Sequence, residues 1–130
     1  MTRTDARELM MQVFFQMEAC NDFNIDNRDS YFKGKKLGGQ KTYCQELFSA
    51  LCNNRETVDE KINEYSTGWK VNRLPKTDLA VLRVALCEIL YISDIPEAVS
   101  INEAIDLAHK FGTDESSAFV NAVLGKAVEK

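Results

Sequence analysis

Residues 100–126, SINEAIDLAHKFGTDESSAFVNAVLGK, point most directly to the fold of this chain. Apolar side chains recur there at helical spacing on both sides of Gly112, which predicts two short helices joined by a turn. Ser100 and Glu103 have the S-x-x-E spacing of a capping box, so the first of these helices is predicted to begin at Ser100. Gly112 is predicted to end that helix in a left-handed conformation.

The rest of the chain repeats the helical pattern over longer segments. Helices are predicted over residues 4–20, over residues 41–65 and from about Lys76 onward, while residues 21–40 predict a connection with at most two helical turns. The helix after Lys76 is apolar on nearly every side, which is typical of a central helix. Its Arg83 is predicted to pair with a carboxylate, because an isolated buried charge is costly. No segment alternates with the period of a strand, so the fold is predicted to be all-α.

Composition and charge limit the classes of function. The chain has 130 residues, enough for one domain over residues 1–130, and its 45% apolar and 28% charged residues are ordinary for a globular protein. Its formal net charge of -4 excludes a global positive field that draws in nucleic acid or membrane, so any anion binding must be local. Four lysines in the 21–40 connection and directly after it fit either a solvated loop or a non-specific attraction to phosphate. They are Lys33, Lys35, Lys36 and Lys41.

The cysteines and the apolar runs indicate an ordinary intracellular protein. Four cysteines without a C-x-x-C pair and a single histidine make no zinc pattern, so the cysteines are predicted to be buried, reduced thiols. No apolar run is long enough for a membrane span and no signal peptide is recognisable, which predicts a cytoplasmic protein without membrane contact.

Catalytic motifs are missing from the sequence. It contains no G-x-S-x-G elbow, Walker loop, H-E-x-x-H or G-x-G-x-x-G. His109 lies beside Lys110 near a helix C-terminus, where positive charge offsets the helix dipole, and no serine or cysteine is placed for it to activate. The chain is therefore predicted to have no catalytic residue, metal site or cofactor, and not to be an enzyme.

Several motifs carry a family resemblance. INEA, KFG and FVNAVL follow one another within residues 100–126, LAVLRVALCEIL precedes them, and RTDARELMMQVFFQME stands at the start of the chain. In this order and at this total length they resemble the NusB family of bacterial transcription antitermination factors, whereas the middle third of the chain is nondescript. The resemblance implies a compact bundle of about seven helices in two small subdomains.

The resemblance also implies a function. Members of the family pair with a small-subunit ribosomal protein, NusE, and the heterodimer binds the boxA element of single-stranded RNA. That assembly joins the RNA polymerase elongation complex and suppresses premature termination, chiefly on ribosomal RNA operons. Two alternatives stay open: an RNA-binding domain of the type fused to ribosomal RNA methyltransferases, and a helical scaffold or homodimer that has lost RNA recognition. By position, the helix sides near Asp78 and Arg83 are candidates for contact with the ribosomal protein.

The turn after the KFG motif offers the chemistry that single-stranded RNA requires. Bases stack on aromatic rings and are read by hydrogen bonds to their edges, while cations hold the phosphates. Phe111 and Phe119 match family aromatics at the RNA surface, although a core role ranks first for Phe119. Lys110 is expected to hold a phosphate. Glu115 replaces the usual aspartate of the family and could accept a hydrogen bond from an exocyclic amine.

The first helix supplies the complementary residues. Arg3 and Arg7 are four positions apart and share a helix face, which suits contacts with adjacent phosphates, and Gln12 matches a polar position of the family. Thr4 and Asp5 stand where better-studied members carry further arginines. RNA binding by the isolated chain is therefore expected to be weak and to gain from a basic partner.

Overall fold

The computed structural model describes residues 1–129, and this part of the chain contains helices and turns but no strand. The six α-helices are α1 (Arg3–Cys20), α2 (Arg28–Phe32), α3 (Lys41–Tyr65), α4 (Lys76–Tyr91), α5 (Glu97–Phe111) and α6 (Ser116–Ala127). Three 3₁₀ turns add Ile25–Asn27, Gly38–Gln40 and Val71–Arg73. The all-α prediction is confirmed, with six helices in the described residues where about seven were expected. Lys130, the last residue of the predicted domain, lies outside the described residues.

Helix α4 is the centre of the fold. It packs against α1, α3, α5 and α6, and every residue from Asp78 to Glu88 is buried. Arg83, only 1% exposed, donates a pair of hydrogen bonds to Asp59 at 3.0 and 2.8 Å and one to Glu18 at 2.7 Å. The predicted carboxylate pairing of Arg83 is thus confirmed. The expectation that α4 offers an exposed side near Asp78 and Arg83 is wrong, because both side chains lie under neighbouring helices.

The ion pairs of Arg83 also change its pKa. Burial disfavours the charged guanidinium, but the hydrogen bonds and charges of Asp59 and Glu18 outweigh that cost and raise the pKa of Arg83. For Glu18, partial burial acts against the carboxylate, yet the bond from Arg83 prevails and lowers the pKa of Glu18. Together these pairs join the end of α1 to α3 and α4.

Helix α1 begins with a capping box that explains one departure from the family pattern. Thr2 Oγ1 accepts from the Asp5 backbone N–H at 3.0 Å, and the Thr2 N–H donates to Asp5 Oδ2 at 3.1 Å. Asp5 therefore stabilises the helix start at a position where the resemblance suggested a cation. Further along α1, Met11 and Phe15 are four positions apart and so lie on the same side of the helix. Met11 is 3% exposed and Phe15 is 42% exposed, so this apolar side is covered at Met11 and open at Phe15.

The connection between α1 and α3 contains α2 and two 3₁₀ turns, which is more than the two helical turns predicted, and it packs against α3. The rings of Tyr31 and Phe32 each pack 5.7 Å from the ring centroid of Phe48 in α3. Gly34 and Gly38 have φ angles of +78° and +55°, which side-chain-bearing residues rarely adopt, so these glycines permit the two sharp turns. The segment consequently lies against α3 as an ordered loop.

The start of α5 differs from the prediction. The helix begins at Glu97 rather than Ser100, because Pro96 with φ -59° and no N–H suits the position immediately before the first turn. Ser100 lies one turn inside the helix, where its Oγ donates to Glu88 Oε1 of α4 at 2.9 Å. The predicted capping box of Ser100 and Glu103 is therefore wrong, and Ser100 serves helix packing instead.

Gly112 ends α5, but it does so in an extended conformation. Its φ of -98° and ψ of -162° exclude the predicted left-handed geometry. Glycine is required for a different reason: a Cβ atom there would lie 2.7 Å from the Ala108 carbonyl oxygen and would collide with the Ser116 side chain. Ser116 Oγ accepts from the Thr113 N–H at 2.9 Å, so α5 and α6 meet in a closely packed corner.

The cysteines are reduced, as predicted, but not all are buried. All four are free; Cys44 and Cys87 are buried, Cys52 is half-buried and Cys20 is exposed. Burial raises the pKa of Cys44 and of Cys52 to about 11, which keeps both as thiols at neutral pH. The prediction of burial is thus wrong for Cys20, which ends α1 at the surface. Within residues 1–129, no helix combines the length and apolarity that a membrane span needs.

Candidate functional site

Two depressions open on either side of the first turn of α4. The first, called here the α5 groove, has a volume of about 190 Å³ and is lined by Met11, Gln12, Phe15, Thr77 and Phe111. The second, the α6 pocket, has a volume of about 260 Å³ and is lined by Trp69, Leu74, Pro75, Asp78, Thr113, Glu115, Ser116 and Phe119. The consecutive residues Thr77 and Asp78 line one depression each, so the two form neighbouring parts of a single surface.

The α5 groove unites three of the residues predicted from the sequence. Gln12 and the half-buried Phe111 line it, and the Lys110 ammonium lies 5.2 Å from the Phe111 ring centroid. Lys110 also bonds to the Glu8 carboxylate of α1. The first helix and the KFG turn therefore meet here through Gln12 and Glu8 and not through Arg3 and Arg7, and Glu8 neutralises the cation that was expected to hold a phosphate.

The α6 pocket contains the other two residues of the predicted turn, together with Trp69 and Asp78, which were not predicted as RNA-binding residues. Glu115 is exposed at its edge, and Phe119 is half-buried in its wall. Trp69, 55% exposed, stands beside them although it comes from the loop between α3 and α4. An open indole and a phenyl ring in one pocket provide flat apolar surfaces on which a planar ligand can stack.

The loop that carries Trp69 is held in place on both sides. Ser66 Oγ donates to the Trp69 carbonyl oxygen at 2.5 Å, and the Val71 N–H donates to Asn63 Oδ1 at 2.8 Å. Lys126 of α6 bonds to the Thr67 hydroxyl in the same loop. These contacts fix the backbone on both sides of Trp69, so its ring is presented from an ordered segment.

Asp78 gives the α6 pocket a polar group with a vacant acceptor. The residue is 4% exposed, and its Oδ1 has no hydrogen-bond partner among residues 1–129. Buried polar atoms are nearly always bonded, so an unpartnered one beside a pocket calls for an explanation. Asp78 lies in the first turn of α4, at the positive end of the helix dipole. The carboxylate is thus suited to accept from an amine of a bound ligand.

Arg7 does not have the role predicted for it. It is 4% exposed, and its Nε donates to Glu88 Oε2 at 2.8 Å while its Nη1 lies 3.5 Å from Glu103 Oε1. Burial opposes its charge, but the bond to Glu88 outweighs that effect and raises the pKa of Arg7. The predicted phosphate contact of Arg7 is wrong, because its guanidinium is enclosed and already paired.

Glu88 organises the buried polar centre around Arg7. Besides Arg7, it accepts from the Tyr43 hydroxyl at 2.5 Å and from Ser100 Oγ at 2.9 Å. Burial and the neighbouring Glu88 charge raise the pKa of Tyr43 far above its ordinary value, so this phenol remains a donor. The Glu88 carboxylate of α4 therefore accepts hydrogen bonds from α1, α3 and α5 and fixes the positions of these helices around the α5 groove.

Arg3 is exposed, but it faces away from the α5 groove. Its guanidinium lies over the Tyr43 ring at 4.2 Å from the centroid, and its Nε donates to Gln40 Oε1 at 2.5 Å. No carboxylate among residues 1–129 forms an ion pair with it. Arg3 and Arg7 do share a helix face, as predicted, but that face packs toward α3 and only Arg3 reaches its open edge.

Trp69 and Asp78, which were not predicted as RNA-binding residues, differ in how far the sequence could have indicated that role. Trp69 stands in a loop between Gly68 and Pro75, where no helical stripe buries it, and an isolated loop tryptophan could have been noted as a surface aromatic. Asp78 offered no comparable sign, because its burial follows from the packing of the loop and α6 over the start of α4. The described residues contain no group of three or more histidine, cysteine or acidic side chains placed to hold a metal ion.

Comparison with known proteins agrees with the architecture. The sequence profile of the NusB family matches residues 4–129. The transcription antitermination protein NusB of Alkaliphilus oremlandii is 49% identical over 131 residues, which cover 100% of this chain and 95% of that protein. Among solved structures, T. maritima NusB superposes with a TM-score of 0.86 at 30% identity, covering 97% of this chain and 89% of that one.

A second solved structure extends the likeness of fold. It contains the antitermination factors NusB and NusE in complex with double-stranded RNA, and it matches with a TM-score of 0.82 at 20% identity, over 95% of this chain and 93% of that chain. The family profile covers residues 4–129, the Alkaliphilus protein is 49% identical over 95% of its length, and the helical fold is shared with T. maritima NusB, so this chain belongs to the NusB family of transcription antitermination proteins.

Proposed function

We propose that this chain acts in transcription antitermination by binding a boxA-type single-stranded RNA together with the ribosomal protein NusE. The assembly joins the RNA polymerase elongation complex in the cytoplasm, chiefly on ribosomal RNA operons. The chain contributes residues 1–130 as one RNA-binding domain and works by positioning its partners, without making or breaking a bond. Membership of the family supports this role, and NusB in the related structure is accompanied by NusE and RNA.

The observation that carries the proposal is the pair of aromatic-lined depressions at the start of α4. Unstacked bases need flat apolar surfaces, and Phe111 supplies one in the α5 groove while Trp69 and Phe119 supply others in the α6 pocket. The vacant Oδ1 of Asp78, with Glu115 at the pocket edge, offers acceptors for an exocyclic base amine. Adjacent bases of one strand can thus occupy adjacent depressions.

The charges at this surface favour recognition of bases over a grip on phosphates. Lys110 forms an ion pair with Glu8, and Arg7 is buried in an ion pair with Glu88. Of the predicted polar RNA contacts, Gln12 and Lys110 therefore remain beside the α5 groove. In a chain of net charge -4, RNA binding should therefore depend on stacking and on cations that a partner brings. This dependence on a partner fits a protein that acts as part of a heterodimer.

A titration with labelled boxA-type RNA tests the proposal. The chain alone is expected to bind weakly, and addition of NusE is expected to raise the affinity for this RNA above that for a scrambled sequence of equal length. Equal affinity for the two RNAs, or no binding even with NusE present, would instead favour a helical scaffold without RNA recognition.

Arg3 and Arg7 allow a separate test of the phosphate contacts. The substitution Arg3→Gln should reduce the slope of log affinity against log salt by about 0.7, the value for one phosphate of a single strand. Arg7→Lys should leave that slope unchanged while lowering thermal stability, since the residue is buried and paired. Binding measured between low and moderate salt gives both slopes, and an unchanged slope for Arg3→Gln would remove Arg3 from the site.

A further inference from the structure

A second, larger groove lies between α2 and the first turns of α3. Its volume is about 720 Å³, and its polar and charged lining residues are Lys33, Lys35, Lys41, Asp29, Ser30 and Gln45. Lys36 follows Lys35 in the chain and flanks the groove without lining it. We call it the lysine groove. Neither the predicted RNA-binding residues nor the two depressions at α4 belong to it.

The lysine groove has a positive charge that the chain as a whole lacks. Between Arg28 and Lys41 the sequence holds five cationic residues and one acidic residue, in a chain of net charge -4. The acidic residue, Asp29, is nearly fully exposed and lies 3.9 Å from Arg28 Nε. Within the described part of the chain, none of the four lysines at positions 33, 35, 36 and 41 forms an ion pair. Their charges are thus available to an anionic ligand.

The backbone that carries the lysines is ordered by packing and turns. The Lys35 N–H donates to the Phe32 carbonyl at 3.0 Å, and Phe32 packs edge-on against Phe48 of α3. Leu37 is 7% exposed and anchors the other end of the turn in the core. Lysines on such a segment lie along a defined groove rather than on a freely moving loop, which lowers the entropic cost of binding.

Arg3 connects the lysine groove with the proposed RNA surface. Its Nε bonds to Gln40, the residue directly before Lys41, and its guanidinium covers the Tyr43 ring. On the other side of α1, Glu8 bonds to Lys110 beside the α5 groove. Only the first turns of α1 therefore lie between the two sites, and Arg3 stands on the side nearer the lysines.

We propose that the lysine groove is a second, sequence-independent RNA site that holds phosphates of the strand flanking the boxA-type segment. The inference rests on the proposed function, because a strand held at α4 brings its neighbouring nucleotides to Arg3 and onward to Lys41. The groove is open and carries three lysines along its lining, which suits contacts with a phosphate backbone. Its cations also offset the loss of phosphate binding at Lys110, whose charge is neutralised by Glu8.

The test compares a short RNA, limited to the boxA-type segment, with a long RNA extended by about ten uridines on each side, in the presence of NusE. The wild-type complex is expected to bind the long RNA more tightly and with a steeper salt dependence. A glutamine variant replaces all four lysines: Lys33→Gln/Lys35→Gln/Lys36→Gln/Lys41→Gln. This variant should bind the short RNA with wild-type affinity but should not bind the long RNA more tightly than the short one. Its salt slope on the long RNA should fall by up to about 3, at about 0.7 for each phosphate.

Two controls separate the outcomes. The matched variant with arginine at the same four positions keeps the positive charge, so it should still bind the long RNA more tightly than the short one. Equal binding of the two RNAs by the wild-type complex, or an extension gain that survives in the glutamine variant, would overturn this inference alone. Loss of NusE binding by the glutamine variant would also overturn it, by making the groove a protein contact. Failure of the wild-type complex to bind even the short RNA would overturn the proposed function as well.

Discussion

Replacement of Glu88 by glutamine is expected to lower the free energy of unfolding by about 3–5 kcal/mol, the usual cost of removing one partner from a buried ion pair. The single carbonyl oxygen of the glutamine can replace only one of the two carboxylate oxygens, which accept separately from Tyr43 and Ser100, and the charge of Arg7 is left in the core with only Glu103 nearby, at 3.5 Å. Urea unfolding followed by circular dichroism measures the loss, provided that the slope with denaturant stays the same.

A double variant shows whether the buried charge is the cause. In Arg7→Met/Glu88→Gln no charge remains buried at this centre, so most of the lost stability should return, as happens when buried ion pairs are replaced by well-packed neutral groups. A Glu88→Gln protein within about 0.5 kcal/mol of the wild type would contradict the assignment, because such small changes are typical of surface positions. The same network sets the position of α1 against α5, so the destabilised variant should also bind RNA less well than its fully folded fraction predicts.

The second large effect is expected on RNA affinity. Loss of one base–aromatic stack usually costs about 1–3 kcal/mol, so the double variant Trp69→Ala/Phe111→Ala should weaken binding of the boxA-type RNA by roughly 2–6 kcal/mol. The two rings line separate depressions, so their losses should add. Titration of labelled RNA in the presence of NusE measures the change, and helical content should stay the same because neither ring is fully buried.

Tyr91 offers a matched control for this pair. It is an aromatic residue, 39% exposed, at the last turn of α4, whereas both depressions lie at the first turn of that helix. A 16-residue helix is about 24 Å long, so Tyr91→Ala should leave RNA affinity unchanged. If Tyr91→Ala and the double variant weakened binding equally, the effect would be one of general stability and the stacking surfaces would lose their support.

The helical class and most element boundaries were predictable because they follow from local chemistry. Apolar residues at helical spacing placed α1, α3 and the start of α4 to within a residue, since that spacing measures which side chains share a helix face. The pairing of Arg83 was predictable for a related reason: a charge in a helix that is apolar all round must have a partner. The start of α5 was missed because the signal at Ser100 competes with Pro96, and only packing against Glu88 shows that Ser100 is inside the helix.

The candidate site was predictable only in part. Lys110 and Phe111 follow directly from the KFG motif, and the structure places both beside Gln12, as a surface shared by α1 and α5 requires. Arg7 was assigned wrongly because spacing along a helix shows that Arg3 and Arg7 share a face but does not show what covers that face. Its covering comes from Tyr43 and Glu88, which are far away in the sequence.

What the sequence by itself determined is therefore the set of helices, the family and the short turn that carries Phe111, because each depends on residues close together along the chain. Only the tertiary structure decided which cations remain open to RNA, since burial depends on contacts between α1, α3 and α4. It alone joined Trp69 and Asp78 to Phe119 in one pocket and placed Arg3 beside the lysine groove. Phe119 is tens of residues away from Trp69 and Asp78, as Arg3 is from Gln40, and no local spacing shows how the helices and loops that carry them pack together.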